Sequence, residues 1–418
     1  MIGAAAGAYA QTAPVASTMA WPDVKARFVA TNPTLQAGQI GIDESKAGEV
    51  TAFLRPNPQL SLTLDQIGHN DDGKPLADAN PTSVLSYLHE RDGKRELRRD
   101  SAQGATAIAV SDQADLTRTL LFTLRSDFVQ ILQAKAFMAL AQDNLASYDQ
   151  VLTLSRERLT AGDIAQMDFD RLALQRVNYE SDVQTATVNL RSAKIHLLAL
   201  LNDRTTSAEQ FDVSGSFDFS VSTQPLADLR QLALQTRPDL RSALAAVDKA
   251  QTDHRLALAN GAVDPTFAID AGFPAVSQAW NSYSPPLREY VGVGVSIPLR
   301  IFDKNQGEKL RTELDVSRNQ KLVDAAQVQV FADVDSAYAA LVSTIALLQP
   351  YRNQYLDQAT RVRDAVSFSY QRGGVSLVDF LQSQSEYRAI QIAYVNLVGT
   401  YLNNVNQLNL AIGQEAIQ

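Results

Sequence analysis

Any chemistry this chain performs must do without a thiol, because it has no cysteine, and it has only four histidines. Thiolate metal sites, cysteine nucleophiles and disulfides are removed together. His69, His89, His196 and His254 lie far apart, with no spacing of the HxxxH kind that sets two imidazoles on one helix face. They read as surface or packing residues, and no metal site is expected. No G-x-S-x-G, H-E-x-x-H or P-loop pattern occurs, so neither a nucleophile elbow, a zinc hydrolase nor a phosphate cradle is expected. The chain therefore reads as a non-enzyme that needs no cofactor. Its most constrained polar residues sit instead at two glycine turns. Gly162 to Phe169 (GDIAQMDF) and Gly373 to Phe380 (GGVSLVDF) share the glycine and an Asp-Phe pair in register. Each segment thus sets an aspartate, Asp168 or Asp379, six residues after its turn glycine.

The elements that hold these turns are long helices. No proline lies between Pro81 and Pro225, and Gly162 is the only glycine between Gly104 and Gly215. After Pro298 the only proline is Pro350. Helix breakers are nearly absent except once in each half. Leu124, Phe128, Ile131, Ala134, Met138, Ala141, Leu145, Tyr148 and Leu152 recur at the 3–4 spacing of a coiled-coil face. A helix from about 94 to 160 is predicted, on the order of 100 Å long at 1.5 Å per residue. Thr31-Asn32-Pro33-Thr34-Leu35 matches Thr236-Arg237-Pro238-Asp239-Leu240, and the period of about 210 residues marks a duplication. The expected division is a signal remnant or disordered start at 1–20, repeat 1 at 21–205 with its turn at 161–163, and a linker at 206–225. Repeat 2 follows at 226–414 with its turn at 373–374, then a tail at 415–418. Each repeat reads helix, strand pair, long helix, tight turn, helix.

The strands are short. Leu60, Leu62 and Leu64 alternate with Ser61, Thr63 and Asp65. Phe267, Ile269, Ala271 and Phe273 alternate with small or polar residues, as do Val291, Val293, Val295 and Ile297, and Val84 to Glu90 is a weaker fourth. Trp280, Tyr283 and Tyr290 before the last strand suit a membrane interface. The pattern fits either hairpins on a soluble core or outer-membrane strands. Four strands cannot close a barrel, since single-chain barrels start at about eight. Open edges cannot face lipid, because each unpaired backbone group costs several kcal/mol there. Membrane strands here would have to share one barrel among several copies. No uninterrupted apolar run of about 18 residues exists, so no transmembrane helix is expected. Ala8-Tyr9-Ala10 before Gln11 has the form of a signal-peptidase site. A net charge of −9 argues against nucleic acid as a partner.

Taken in order, several segments resemble the outer-membrane factors of the TolC type. They are Gly93 to Arg98 (GKRELR), Arg237 to Leu240 (RPDL), Val291 to Glu308 (VGVGVSIPLRIFDKNQGE), and the turns RLTAGDIAQMDF and YQRGGVSLVDF. The resemblance covers about residues 20–415. It implies a mainly α chain with a small β part. Three copies would share a twelve-stranded barrel in the outer membrane of a Gram-negative bacterium and a long antiparallel α-helical barrel in the periplasm. A mixed belt would form from the N-terminal segment, residues 201–230 and the C-terminal tail. The implied function is the exit duct of a tripartite efflux pump. Its partners would be outer-membrane lipid, a periplasmic adaptor and an inner-membrane transporter of the RND type. A duct for type I protein secretion, or a non-pore coiled-coil scaffold, are the alternatives. The GKRELR start is similar to the heavy-metal-cation branch.

The same resemblance implies the sites. Leu159, Thr160, Ala161, Gly162, Asp163, Arg372, Gly373, Gly374, Val375 and Ser376 would form the periplasmic tip that meets the adaptor. Asp379 matches an aspartate ringing the tunnel entrance, where three copies would draw cations. Gln382 stands where the family has a second aspartate, so that ring is lost or moved. Asp168 and Tyr370 match a hydrogen-bonded pair that holds the entrance closed. The arginine completing that latch in some members falls at Val375, and Arg372 is near but out of register.

Overall fold

The computed structural model describes residues 17–65, 67, 79–221, 224–272 and 289–417. The proposed signal site, His69, Phe273, Trp280 and Tyr283 lie outside them. The chain is mainly helical with a small amount of sheet. It divides into two compact units. One comprises Met1–Gly38, Gln113–Pro238 and Gln327–Gln418, and the other Gln39–Asp112 and Asp239–Ala326.

The first unit opens with strand β1 (Ser17–Ala20) and helix α1 (Trp21–Thr31). Helix α2 (Pro33–Ala52) starts just beyond, and α3 (Lys94–Ala161) is the long helix expected from the periodicity. Helix α4 (Gln166–Leu200) returns after the first turn. Strand β4 (Phe211–Ser214) pairs parallel with β1, with Ser17 opposite Phe211. Helix α5 (Leu226–Thr236) repeats α1. Val24 and Phe28 of α1, Leu124, Phe128 and Ile131 of α3, Leu197 and Leu201 around the end of α4, and Phe211 and Val213 of β4 form one buried core. The alternation of β4 sends both its apolar residues inward, as a period of two requires. Trp21 meets Phe128 edge to face at 5.6 Å between centroids.

The two matched Thr-x-Pro segments do the same work twice. Thr31 Oγ1 donates to the Leu201 carbonyl at 3.0 Å, and Thr236 Oγ1 donates to the Ile412 carbonyl at 2.5 Å. Each therefore ties the end of a short helix, α1 or α5, to the end of the last helix of its own repeat, satisfying a carbonyl that a helix end leaves unpaired. Asn32 also caps α2, accepting from the Thr34 and Leu35 N–H groups at 3.0 and 3.2 Å. Arg237 replaces it in the second copy and bonds Asp333 at 2.8 Å.

The second repeat departs from the expected single helix. Helix α7 (Gln306–Pro350) passes through a π-helical turn, Tyr351–Tyr355, into α8 (Leu356–Gln371). Pro350 has no N–H to give the helix ladder, and a wide i→i+5 turn absorbs the disruption without ending the helix. Helix α9 (Leu377–Ile412) completes the chain. One 18-residue window in the helical run Gln306–Gln371 is long and apolar enough to cross a membrane. This corrects the expectation that none would be, which counted uninterrupted apolar residues and not their average. The same run buries Val334, Leu341 and Leu348 in protein packing.

The second unit carries the sheet. Strands β2 (Gln59–Asp65), β3 (Asn80–Leu88), β5 (Thr266–Gly272) and β6 (Tyr290–Ser296) lie in the order β2-β3-β5-β6, all antiparallel. Helix α6 (Pro238–Ala259) leads into β5. The register puts Leu60, Leu85, Ile269 and Val293 in one row across all four strands. The rows on either side bring Tyr87, Phe267 and Val295, and Leu62, Ser83, Ala271 and Val291, onto the same face. The opposite face carries mostly polar and small residues, among them Ser61, Thr63, Thr82, Ser86, Asp270 and Ser296, with Val84, Leu88, Ala268 and Tyr290 between them. Leu62, Val291 and Val293 are 73%, 75% and 86% exposed, so the apolar face is open, and Ser61, Thr63 and Ser296 on the other face are exposed as well.

Candidate functional site at the paired helix turns

Both turns are built the same way. Gly162 and Gly373 have φ of +84° and +76°, in the left-handed region where a Cβ is strained. Asp163 N–H donates to the Arg158 carbonyl at 2.9 Å and Gly162 N–H to that of Leu159 at 3.0 Å. Gly374 N–H donates to Ser369 at 2.8 Å and Gly373 N–H to Tyr370 at 3.1 Å. This doubled bond closes each helix end as a Schellman motif. Three residues after each glycine stands the N-cap of the next helix, Ala165 for α4 and Ser376 for α9. Asp168 and Asp379 therefore occupy the same helical position, the third after the cap.

Their side chains differ in use. Asp379 and Ser376 form a capping box, with Asp379 N–H donating to Ser376 Oγ at 3.2 Å and Ser376 Oγ donating to Asp379 Oδ2 at 2.7 Å. Ala165 has no side-chain acceptor, so Asp168 is left without that partner. Gln382 donates to Glu386 at 2.8 Å along α9. Thr160, Ala161, Gly162, Asp163, Arg372, Gly373, Gly374 and Ser376 are exposed, and Leu159 and Val375 are half-buried.

Four helix segments support the turns around one apolar cluster. Tyr148 and Leu152 of α3, Leu172 and Tyr179 of α4, Tyr370 of α8, and Leu377 and Phe380 of α9 are all buried together. Tyr370 stacks on Phe380 at 4.7 Å, and Tyr148 on Tyr179 at 4.5 Å with its hydroxyl donating to the Leu172 carbonyl at 2.9 Å. Burial pushes the Tyr148 and Tyr370 phenols above their ordinary range. Tyr370 does not hydrogen-bond Asp168 within the chain, among the described residues. Its bond to the first turn comes from Arg158, which donates to the Tyr370 carbonyl at 3.2 Å and lies 5.5 Å from the ring centroid. Arg158 thus brings the two turns to one end of the four segments. The sequence carries no signal for this pair, because the residues are 212 positions apart. Arg372, read as a near miss for a latch, lies over the Phe368 ring at 3.8 Å.

Nothing in this geometry concentrates reactive groups. No cluster of three or more metal-ligating side chains occurs among the described residues. The site presents two rigid, exposed loops on a packed base, which suits docking.

Known proteins resemble the chain along its length. The family model for outer membrane efflux protein matches residues 229–414. The cobalt-zinc-cadmium resistance protein CzcC of Cupriavidus metallidurans is 23% identical over 387 residues, covering 92% of this chain and 87% of that protein. The pyoverdine export outer membrane protein OpmQ of Pseudomonas aeruginosa is 25% identical over 390 residues, covering 89% and 80%. Among solved structures, CusC superposes with a TM-score of 0.79 at 18% identity, covering 94% of this chain and 91% of that one. VceC of Vibrio cholerae gives 0.74 at 15% identity, covering 94% and 95%. The structural likenesses establish the fold. With the family match over residues 229–414 and relatives aligned along both halves, they make this chain similar to the outer membrane efflux proteins.

Proposed function

We propose that the chain is one subunit of an outer-membrane duct that carries solutes out of the periplasm for a tripartite efflux pump. The family is one of transport ducts and not of enzymes. The observation that carries this reading is the four-stranded sheet. Its apolar face is open, its other face is mostly polar or small, and among the described residues its outer strands β2 and β6 have no partner beyond them. Apolar-out and polar-in is the surface lipid and a water-filled lumen require. Unpaired edges are tolerated in lipid only if further copies pair with them. Three copies with four strands each would close a twelve-stranded barrel, and the long helices would join as the periplasmic tunnel.

In this reading the two turns dock a periplasmic adaptor, through Leu159 to Asp163 and Arg372 to Ser376. An inner-membrane transporter of the RND type supplies the energy. Asp168, Tyr370, Asp379 and Gln382 line the entrance, and Asp168 of one copy would meet the Tyr370 hydroxyl of the next. Metal cations are the cargo favoured by the likeness to CzcC, whose name records cobalt, zinc and cadmium resistance. OpmQ is named for pyoverdine export, which shows that related ducts serve unlike cargo.

The test is fractionation of cells, then measurement of the detergent-released complex in lipid. The protein should travel with the outer membrane, weigh three chains and conduct ions, with Asp168→Ala conducting more than wild type. A water-soluble monomer or dimer would refute the duct. A trimer whose conductance ignores Asp168 would refute only the latch.

A further inference from the structure

The apolar face of the sheet ends in a cationic hollow. Tyr87 continues the row of outward positions along β3, and His89 follows two residues on. The His89 N–H still pairs with the Pro265 carbonyl at 2.9 Å, and its ring meets Phe267 edge to face at 6.3 Å. Beside these rings lies a cavity of 150 Å³ lined by Arg55, Tyr87, His89, Lys94 and Arg95, with Glu90 and Glu96 on its wall. Most of these charges are already committed. Lys94, buried at its side chain, donates to Asp264 at 2.6 Å and to the Ala262 carbonyl at 3.0 Å. Both Glu90 oxygens accept from Arg98. Arg95 pairs with Glu96 at 2.9 Å and lies 4.3 Å from the Phe53 ring centroid. Arg55 is exposed and, among the described residues, has neither an ion pair nor a hydrogen bond. The hollow therefore holds an uncommitted positive charge directly against an open apolar surface.

We propose that this hollow binds the phosphate of an anionic phospholipid whose acyl chains lie on the apolar face of the sheet; the inference rests on the outer-membrane reading above. A guanidinium matches a phosphate in geometry as well as charge. Tyr87 and His89 supply the amphipathic rings that favour the level of the headgroups. Free phosphate would meet the same guanidinium but could not use the adjoining apolar rows. Continuity of hollow and face therefore selects the lipid.

Native mass spectrometry of the full-length protein, released in detergent, tests this. Equal amounts of phosphatidylglycerol and phosphatidylcholine are added, with and without excess inorganic phosphate. Wild type should retain phosphatidylglycerol several-fold over phosphatidylcholine, and inorganic phosphate should not displace it. Arg55→Glu should abolish the preference and Arg55→Lys should keep it, both at the assembly mass of wild type. Because Arg55 makes no contact that the fold depends on, neither variant is expected to misfold. Equal retention by wild type and Arg55→Glu would overturn the proposal, and displacement by phosphate would reduce the hollow to a free-anion site. A protein missing from the outer-membrane fraction would fail the duct reading before any lipid is counted.

Discussion

Single residues hold this structure through contacts that span large sequence distances. Asp203 follows the end of α4 and accepts from the Thr205 and Thr206 N–H groups at 2.9 and 3.0 Å, from Thr206 Oγ1 at 2.6 Å and from Arg27 at 2.5 Å. The Thr206 hydroxyl, then the two backbone N–H groups and Arg27, hold its carboxyl well below the ordinary carboxylate range. A depressed folded value stabilises the native state at any pH above the ordinary value of 3.8, and the contribution fades as pH falls through the folded value. Asp203→Asn should therefore cost about 2 kcal/mol at pH 7, the scale of a hydrogen bond to a charged group. The gap between variant and wild type in urea unfolding should narrow as the solution is acidified below pH 3.8. A gap that holds constant with pH would show that the charge is not what matters. Asp203 was not legible beforehand, because a carboxylate among polar residues reads as solvated and Arg27 lies 176 positions away. Arg158 escaped for the same reason. The turn glycines were legible, because a left-handed residue leaves its mark on the sequence itself.

At the level of elements, periodicity announced the long helices and alternation announced the strands. A period of 3.5 and a period of two are local properties, readable without partners. Register is not local, so the row Leu60, Leu85, Ile269 and Val293 emerges only from the pairing. Helices α1 and α5 went unread because each has only 11 residues and neither stands apart in composition. Pro350 was visible as a breaker, but its effect was not, since packing on both sides keeps the helix running through the π turn. The two faces of the sheet predict opposite tolerances. Val293→Arg places a charge on the open apolar face and should cost about 2–4 kcal/mol if that face meets the lipid core. Ser61→Arg lies on the polar face and should be nearly neutral. The amount of each variant assembled in the outer membrane reads the difference. Equal loss in both would mean that the sheet does not separate lipid from water.

For the whole molecule, the duplication leaves one problem that a single chain cannot solve. Each repeat contributes one strand pair, and among the described residues the four strands still end in two open edges, β2 and β6. Within one chain these edges are three strand spacings apart, about 14 Å at 4.8 Å per spacing. A disulfide needs Cα atoms within about 7 Å. A cysteine in β2 therefore cannot reach one in β6 of the same chain, but it can reach β6 of a neighbour if the copies close a ring. The natural chain has no cysteine to confuse the result. Leu62→Cys, combined in turn with cysteine at Val291, Val293 and Val295, should give an oxidised ladder in at least one register. That ladder should stop at three chains, because the third bond closes the ring. Single-cysteine variants should give no product larger than a dimer. A ladder running past three would make the edges a route to open polymers. Absence of any cross-link in all three registers would mean that β2 and β6 are not neighbours, and the shared barrel would fall with them.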